Sequence, residues 1–336
     1  MTGRRKDEET MVIELSRRNL MTSTAAALAA TAMPGIPARA AVPATGKQAP
    51  GVYRYKIGSY EITAINDGTW YLALSDKFVK NAALADVQKA LADQFLPIDT
   101  VPIPFTAMLV NTGSKLVLID TGTGGQLAQT AGTMGANMAA AGIDPKSIDT
   151  ILISHFHPDH INGIKTKDGA KVFPNAEINV PAAEWAYWMD DSKMNAAPEA
   201  ARGAFLNARR IFSDIAGEVK RIEPGKEVAP GITSVAAYGH TPGHTAYSVA
   251  SGNQSMLYLA DVTNNPWLFV RNPEWQAAFD VDGNMAAETR KAMLDRAAAD
   301  KMIVQGYHFP FPASGYIAKT AKGYDLIPVM WQPSPS

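Results

Sequence analysis

The stretch SHFHPDH, Ser154 to His160, packs three of the chain's six histidines and an aspartate into the six positions from His155 onward. It follows DTILI, a continuous apolar run of strand length, so the cluster sits at the end of a buried strand. Along a strand, residues two apart point the same way. His155 and His157 can therefore converge on one point while Phe156 turns into the core. Pro158 restrains the turn that follows, which lets Asp159 and His160 face a neighbouring point. The spacing suits two metal ions side by side.

The other three histidines occupy comparable places. In YGHTPGHT, His240 and His244 follow the strand-like GITSVAAY, with Gly239, Pro242 and Gly243 marking a tight loop. YSVAS and SMLYLAD then form a hairpin over Gly252-Asn253 that ends at Asp261. KMIVQGYHFPF places His308 after another apolar strand, preceded by the helix-like NMAAETRKAMLDRAAAD. One histidine alone reads best as a hydrogen-bonded structural residue. Six that all follow strands point to a site. Imidazole and carboxylate are donors that zinc, manganese, cobalt and iron accept.

Upstream, YRYKIGSYEITAIND reads as two strands around Gly58-Ser59, and FTAMLV and KLVLID form a hairpin across Asn111-Thr112-Gly113-Ser114 that ends at Asp120. Gln126 to Ala141 carries alanine and methionine at helical spacing and is expected to be a helix stopped by Gly142.

Composition limits the partners. The chain has 336 residues, 46% of them hydrophobic, enough to bury a large core. Lysine plus arginine number 31 against 32 acidic residues, so no strong field draws the chain to nucleic acid or to an anionic membrane. The expected partner is a small molecule, and a homodimer is left open. With no cysteine in the sequence, thiolate ligands and a cysteine nucleophile are excluded. No G-x-S-x-G elbow supports serine chemistry.

Residues 1–40 read as an export signal: Arg17-Arg18 precede the uncharged, alanine-rich TSTAAALAATAM, and Ala38-Arg39-Ala40 offers a cleavage site. The arginine pair resembles a twin-arginine signal, which implies a periplasmic or secreted protein. Residues 41–52 form a proline- and alanine-rich leader, and 53–336 the folded domain.

HFHPDH followed by GHTPGH, a strand-end aspartate and a late histidine resembles the metallo-β-lactamase superfamily of dinuclear metallohydrolases. The resemblance implies an α/β fold, a four-layer αββα sandwich with two metals at one edge. It also implies ligands: His155, His157 and His240 for one ion, Asp159, His160 and His308 for the other, with Asp261 shared. Asp120 and His244 would then orient ligands from outside. A water shared by two dications loses its proton near neutral pH and attacks the substrate, with Asp159 able to pass a proton on.

Within the superfamily, VNTGSKLVLIDTG, HPDH, FPNA, GHTPGHT and KGYDLIPV are most similar to the methyl parathion hydrolase family. That family cleaves aryl phosphotriesters and often lactones or aryl esters. The best-known homoserine-lactone lactonases carry tyrosine three residues past the shared aspartate; here it is Asn264. The histidine-only β-lactamases lack a shared carboxylate, so Asp261 separates this chain from them. Asn162, where glycine is commoner, would add a polar group beside the metals. The expected substrate pocket comprises Leu127, Trp185, Trp188, Phe205 and Phe309, with zinc the first expected metal. Alternatives of other kinds are a quorum-signal lactonase or lactamase-type amide hydrolase, an iron-dependent redox enzyme, and a non-catalytic metal-binding protein.

Overall fold

In the first strand, side chains alternate: Tyr53, Tyr55 and Ile57 are buried on one face while Lys56 points to solvent. The computed structural model describes residues 44–335, so the expected export signal and the start of the leader lie outside the described residues. From Val52 onward the strands assemble in chain order. β1 (Val52–Ile57), β2 (Tyr60–Ala73), β3 (Thr100–Asn111), β4 (Leu116–Ile119), β5 (Thr150–Leu152), β6 (Glu177–Pro181) and β7 (Lys220–Ile222) form one sheet. β8 (Glu227–Ala229), β9 (Ile232–Ala236), β10 (Thr245–Ser251), β11 (Gln254–Ala260), β12 (Ile303–Gly306), β13 (Ser314–Lys319) and β14 (Tyr324–Pro328) form the second.

Each sheet begins as an antiparallel meander and turns parallel through helical crossovers. β1 to β4 are antiparallel and β4 to β7 parallel; in the second sheet only β11 and β12 pair in parallel, joined across the helix Gly283–Ala299. The burial pattern records the layers. β3 alternates from Val101 to Phe105 and is then buried on both faces through Val110, as a strand covered on both sides must be. Between the sheets, the Tyr55 hydroxyl lies 3.4 Å from Gln305 Oε1, and Gln305 Nε2 donates to the Thr106 carbonyl at 3.4 Å. Outside them, Met293, Leu294 and Ala297 of the Gly283–Ala299 helix pack on Leu257, Val304 and Ile317, while Phe205, Ala208 and Ile211 of the helix Glu199–Phe212 join the core of the first sheet. The result is the expected αββα sandwich. Among the described residues no helix is long and apolar enough to cross a membrane.

One expected element is half as long. The helix spans only Met134–Ala140, and Gln126–Thr133 is a loop. Gly124, Gly125 and Gly132 take positive φ, and a Cβ on Gly132 would lie 2.4 Å from the Gly125 Cα. The helix starts where a distant residue starts it: Asp67 Oδ1 accepts from Met134 N at 2.8 Å, and Asp67 Oδ2 accepts from Thr123 N at 2.7 Å. Tertiary anchoring overrides the alanine-rich pattern. Gly142 ends the helix with φ +73°.

Candidate metal centre

The strand ends aim the side chains. β5 delivers buried His155, and Phe156 turns away to pack on Phe212 with ring centroids 4.6 Å apart. His157 is extended at φ −66° and ψ 151° and precedes Pro158 at the first position of the one-turn helix Pro158–Ile161. That turn carries Asp159 and His160 to the other side. Asp120 ends β4 with φ +60°, and Ala260, just before Asp261, ends β11 with φ +47°. Non-glycine residues in this region cost about 1–3 kcal/mol each and persist where the surroundings enforce them.

Two donor groups result. His155 Nε2 and His240 Nε2 each lie 3.0 Å from His157 Nδ1, and Asp261 Oδ2 is 3.3 Å from His240 Nε2 and 3.9 Å from His155 Nε2. On the other side Asp159 Oδ2 is 3.3 Å from His160 Nε2 and 3.5 Å from His308 Nε2. Asp261 reaches this group too, with Oδ1 3.3 Å from His160 Nε2 and Oδ2 2.9 Å from His308 Nε2. Donors held 2.0–2.1 Å from a tetrahedral ion lie roughly 3.3–3.4 Å from one another, so each group has the spacing of a coordination shell.

The hydrogen bonds behind the rings fix what faces inward. His160 Nδ1 donates to Asp120 Oδ2 at 2.8 Å, His240 Nδ1 to Asp280 Oδ1 at 2.9 Å, and His308 Nδ1 to the Pro104 carbonyl at 2.9 Å. The Ser154 hydroxyl donates to Asp120 Oδ2 at 2.8 Å and so accepts from His155 Nδ1 at 3.0 Å. Each of these four rings therefore turns a bare Nε2 lone pair toward a neighbouring lone pair or carboxylate. His160 Nε2 and Asp261 Oδ1 are buried with no hydrogen-bond partner among the described residues. Acceptors crowded against acceptors are repulsive unless cations lie between them. The residues present fit two metal ions.

The titration of these groups agrees. Burial pushes His155 well below its ordinary value and His157 down to about 3. At His160 burial also acts downward, but the carboxylates of Asp159, Asp261 and Asp120 lift the ring well above its ordinary value. At Asp261 burial acts upward, and His308 and His160 reverse it, holding the carboxyl well below the usual range. Burial thus disfavours a proton on His155 and His157, while the carboxylates beside His160 favour positive charge on that side of the cluster.

His244 lies outside both donor groups. Its Nε2 accepts from the Asp261 backbone N–H at 3.1 Å, and its ring stands 4.9 Å from that of His155. Asp120 accepts from Ser154 N at 2.8 Å and from the Tyr258 hydroxyl at 2.9 Å, in addition to His160. Ser154, Asp280 and Arg290 were not anticipated. Ser154 directly precedes His155 and is marked by that position; Asp280 and Arg290 belong to no motif. Buried Arg290 donates to the carbonyls of Val262, Pro273 and Trp275 and lies 3.5 Å from Asp280 Oδ2.

A cavity of about 120 Å³ opens above the donors, walled by Trp70, Ile103, Phe105, Leu127 and Phe279 together with Asn264. Of the five apolar side chains expected there, only Leu127 lines it, brought in by the loop that replaces the expected helix. The other four are placed elsewhere. Trp185 packs on Phe212 at 5.9 Å with the Arg221 guanidinium 4.2 Å over its ring. Phe205 packs on Trp188 at 4.7 Å, and Phe309 is buried in the apolar cluster that also holds Leu257, Leu259 and Val304. Trp188 stands behind the site, its ring centroid 6.0 Å from that of His157 in an edge-on arrangement. Asn162 is not directed at the metals: its Oδ1 accepts from Asn207 at 2.9 Å and Arg210 at 3.1 Å, fastening the metal loop to the helix Glu199–Phe212. The sequence does not reveal this pocket because its aromatic wall comes from β2, β3 and the loop at Phe279, far in sequence from the histidines.

Comparison with known proteins agrees with this geometry. Residues 103–306 match the sequence model of the metallo-beta-lactamase superfamily. The dizinc quorum-quenching lactonase AidC, solved with the product N-hexanoyl-L-homoserine, superposes with a TM-score of 0.80 at 28% identity, covering 84% of this chain and 98% of that one. The hydrolase AbOPH of the β-lactamase superfamily gives a TM-score of 0.80 at 29% identity, covering 85% and 100%. An N-acyl homoserine lactone lactonase at 18% identity shares the fold, with a TM-score of 0.55 over 78% of this chain and 100% of that one. Ribonuclease Z of Agathobacter rectalis is 39% identical over 67 residues, and the chain spans only 19% of its length. The chain belongs to the metallo-β-lactamase superfamily and is a metallohydrolase of that superfamily.

Proposed function

We propose that the chain is a two-metal hydrolase of small neutral esters, with lactones and aryl esters first and aryl phosphotriesters second. The observation that carries this is the convergence of seven donor side chains, four of them histidines whose outward nitrogens are already committed. His155, His157 and His240 would hold one ion, Asp159, His160 and His308 the other, and Asp261 both. Bound there, two divalent cations, zinc by preference, supply a water acidic enough to attack at neutral pH and a Lewis acid for the electrophile. The remaining chemistry belongs to the protein. Asp159 is the more exposed of the two carboxylates and lines the cavity, so its Oδ2 is placed to take a proton and return it to the leaving oxygen. Trp70, Phe105, Leu127 and Phe279 exclude water and pack the apolar arm of the substrate.

The choice of substrate follows from the wall. Its lining contains no lysine or arginine, so the cavity offers an anionic group no cationic partner of its own. Neutral lactones and triesters suit it; a β-lactam carrying a carboxylate does not. Similarity to a dizinc lactonase supports placing lactones first, and similarity to the hydrolase AbOPH at nearly equal identity supports hydrolysis as the reaction. The test is a comparison of kcat/KM on a lactone, an aryl ester, an aryl phosphotriester and a β-lactam. The first two should exceed the β-lactam by about a hundredfold or more, the scale of a recognition difference of a few kcal/mol. A β-lactam turned over fastest would overturn the assignment.

A further inference from the structure

Glu184 is fully buried in the helix Ala182–Trp188, and among the described residues no cation pairs with it. Three N–H groups surround its carboxylate instead. Oε2 accepts from Phe156 N at 3.0 Å and from Trp188 Nε1 at 2.6 Å, and Oε1 accepts from Gly243 N at 2.7 Å. Phe156 stands between His155 and His157. Gly243 stands between His240 and His244. One carboxylate thus holds the backbones of both histidine loops, one from each half of the molecule. The approach is close: a Cβ on Gly243 would lie 2.2 Å from Glu184 N. Trp188, one helical turn on, aims the carboxylate and sets its ring edge against His157.

We propose that Glu184 is a positioning residue that fixes the spacing between the loops of His155-His157 and of His240, and so the affinity of the metal those three histidines hold. The proposal rests on the two-metal reading. It follows from what the substitution Glu184→Gln would do: the amide keeps the size, but its NH₂ must face one of three N–H donors, so at least one loop is released. Loss of an outer-shell partner typically weakens metal binding by about 10–100-fold.

The test loads wild type, Glu184→Gln and Trp188→Phe with zinc, dialyses each against a graded chelator, and measures ions retained per chain beside Tm. Ile211→Val, in the core of the neighbouring helix, controls for lost stability alone. Glu184→Gln should release zinc at a chelator concentration about ten- to a hundredfold lower than wild type, Trp188→Phe at a smaller offset in the same direction, and Ile211→Val at the wild-type concentration. If Glu184→Gln fails to fold, the Trp188→Phe offset decides. Retention equal to wild type in the folded carboxylate-site variants, with only Tm lowered, would overturn the role of Glu184 and leave the two-metal reading standing. Wild type that retains no zinc would overturn both.

Discussion

Asp261 carries the most consequence of any single side chain, because its carboxylate alone reaches both donor groups. Asp261→Asn leaves one oxygen for two ions and removes a charge that holds them close. We expect turnover to fall about a hundredfold or more, as with loss of a key electrostatic group, with metal content reduced. Metal analysis and rates in saturating zinc or manganese check this, and unchanged values for both would show that the carboxylate is not shared. His244 gives a prediction about pH. Burial, followed by His240, lowers it to about 3. In the unfolded chain it takes up a proton below about 6.5, and in the folded chain it does not until about pH 3, so the unfolded state binds more protons between these values. Its contribution is fully present above the unfolded value and is lost as pH falls. His244→Gln should therefore flatten stability against pH in this window by up to about 1.4 kcal/mol per pH unit, read from urea midpoints at pH 7 and pH 5. The ligand histidines were legible because each closes a strand-like run. Glu184 and Asp280 were not, since one carboxylate acting on a backbone amide or on the far side of a ring leaves no pattern in the sequence.

At the scale of elements, the strands are legible in the sequence and the loops that wall the pocket are not. Alternation and continuous apolar runs report burial directly, which is why β1 to β5 and β9 to β12 were visible. The stretch Gln126–Thr133 has helical spacing, yet Gly124, Gly125 and Gly132 adopt conformations that other residues resist, and Asp67 supplies the helix start from across the sheet. That loop delivers Leu127 to the cavity. Gly132→Ala should therefore act on both stability and substrate binding. Placing a Cβ at φ +95° and 2.4 Å from the Gly125 Cα is expected to cost about 1–3 kcal/mol and to displace Leu127. A lowered urea midpoint together with a raised KM for the best ester is the expected result. A raised KM without destabilisation, or the reverse, would separate the loop from the pocket.

For the whole molecule, two sheets of the same general design meet so that strand ends from both halves supply each metal, and neither half holds a complete donor group. Folding and metal binding should accordingly be linked, since ligands drawn from both sheets are brought together only in the native state. The export signal belongs to this scale as well. We propose that Arg17-Arg18 sends the chain out by the twin-arginine route, so that Arg17→Lys with Arg18→Lys should trap full-length protein in the cytoplasm; periplasmic protein still beginning at Met1 would contradict it. The most direct test of the central claim is a metal titration. Chelator-stripped protein, titrated with zinc or manganese, should regain ester hydrolysis in step with bound metal and reach its plateau at about two ions per chain. Full activity at one ion or none would contradict a two-metal centre.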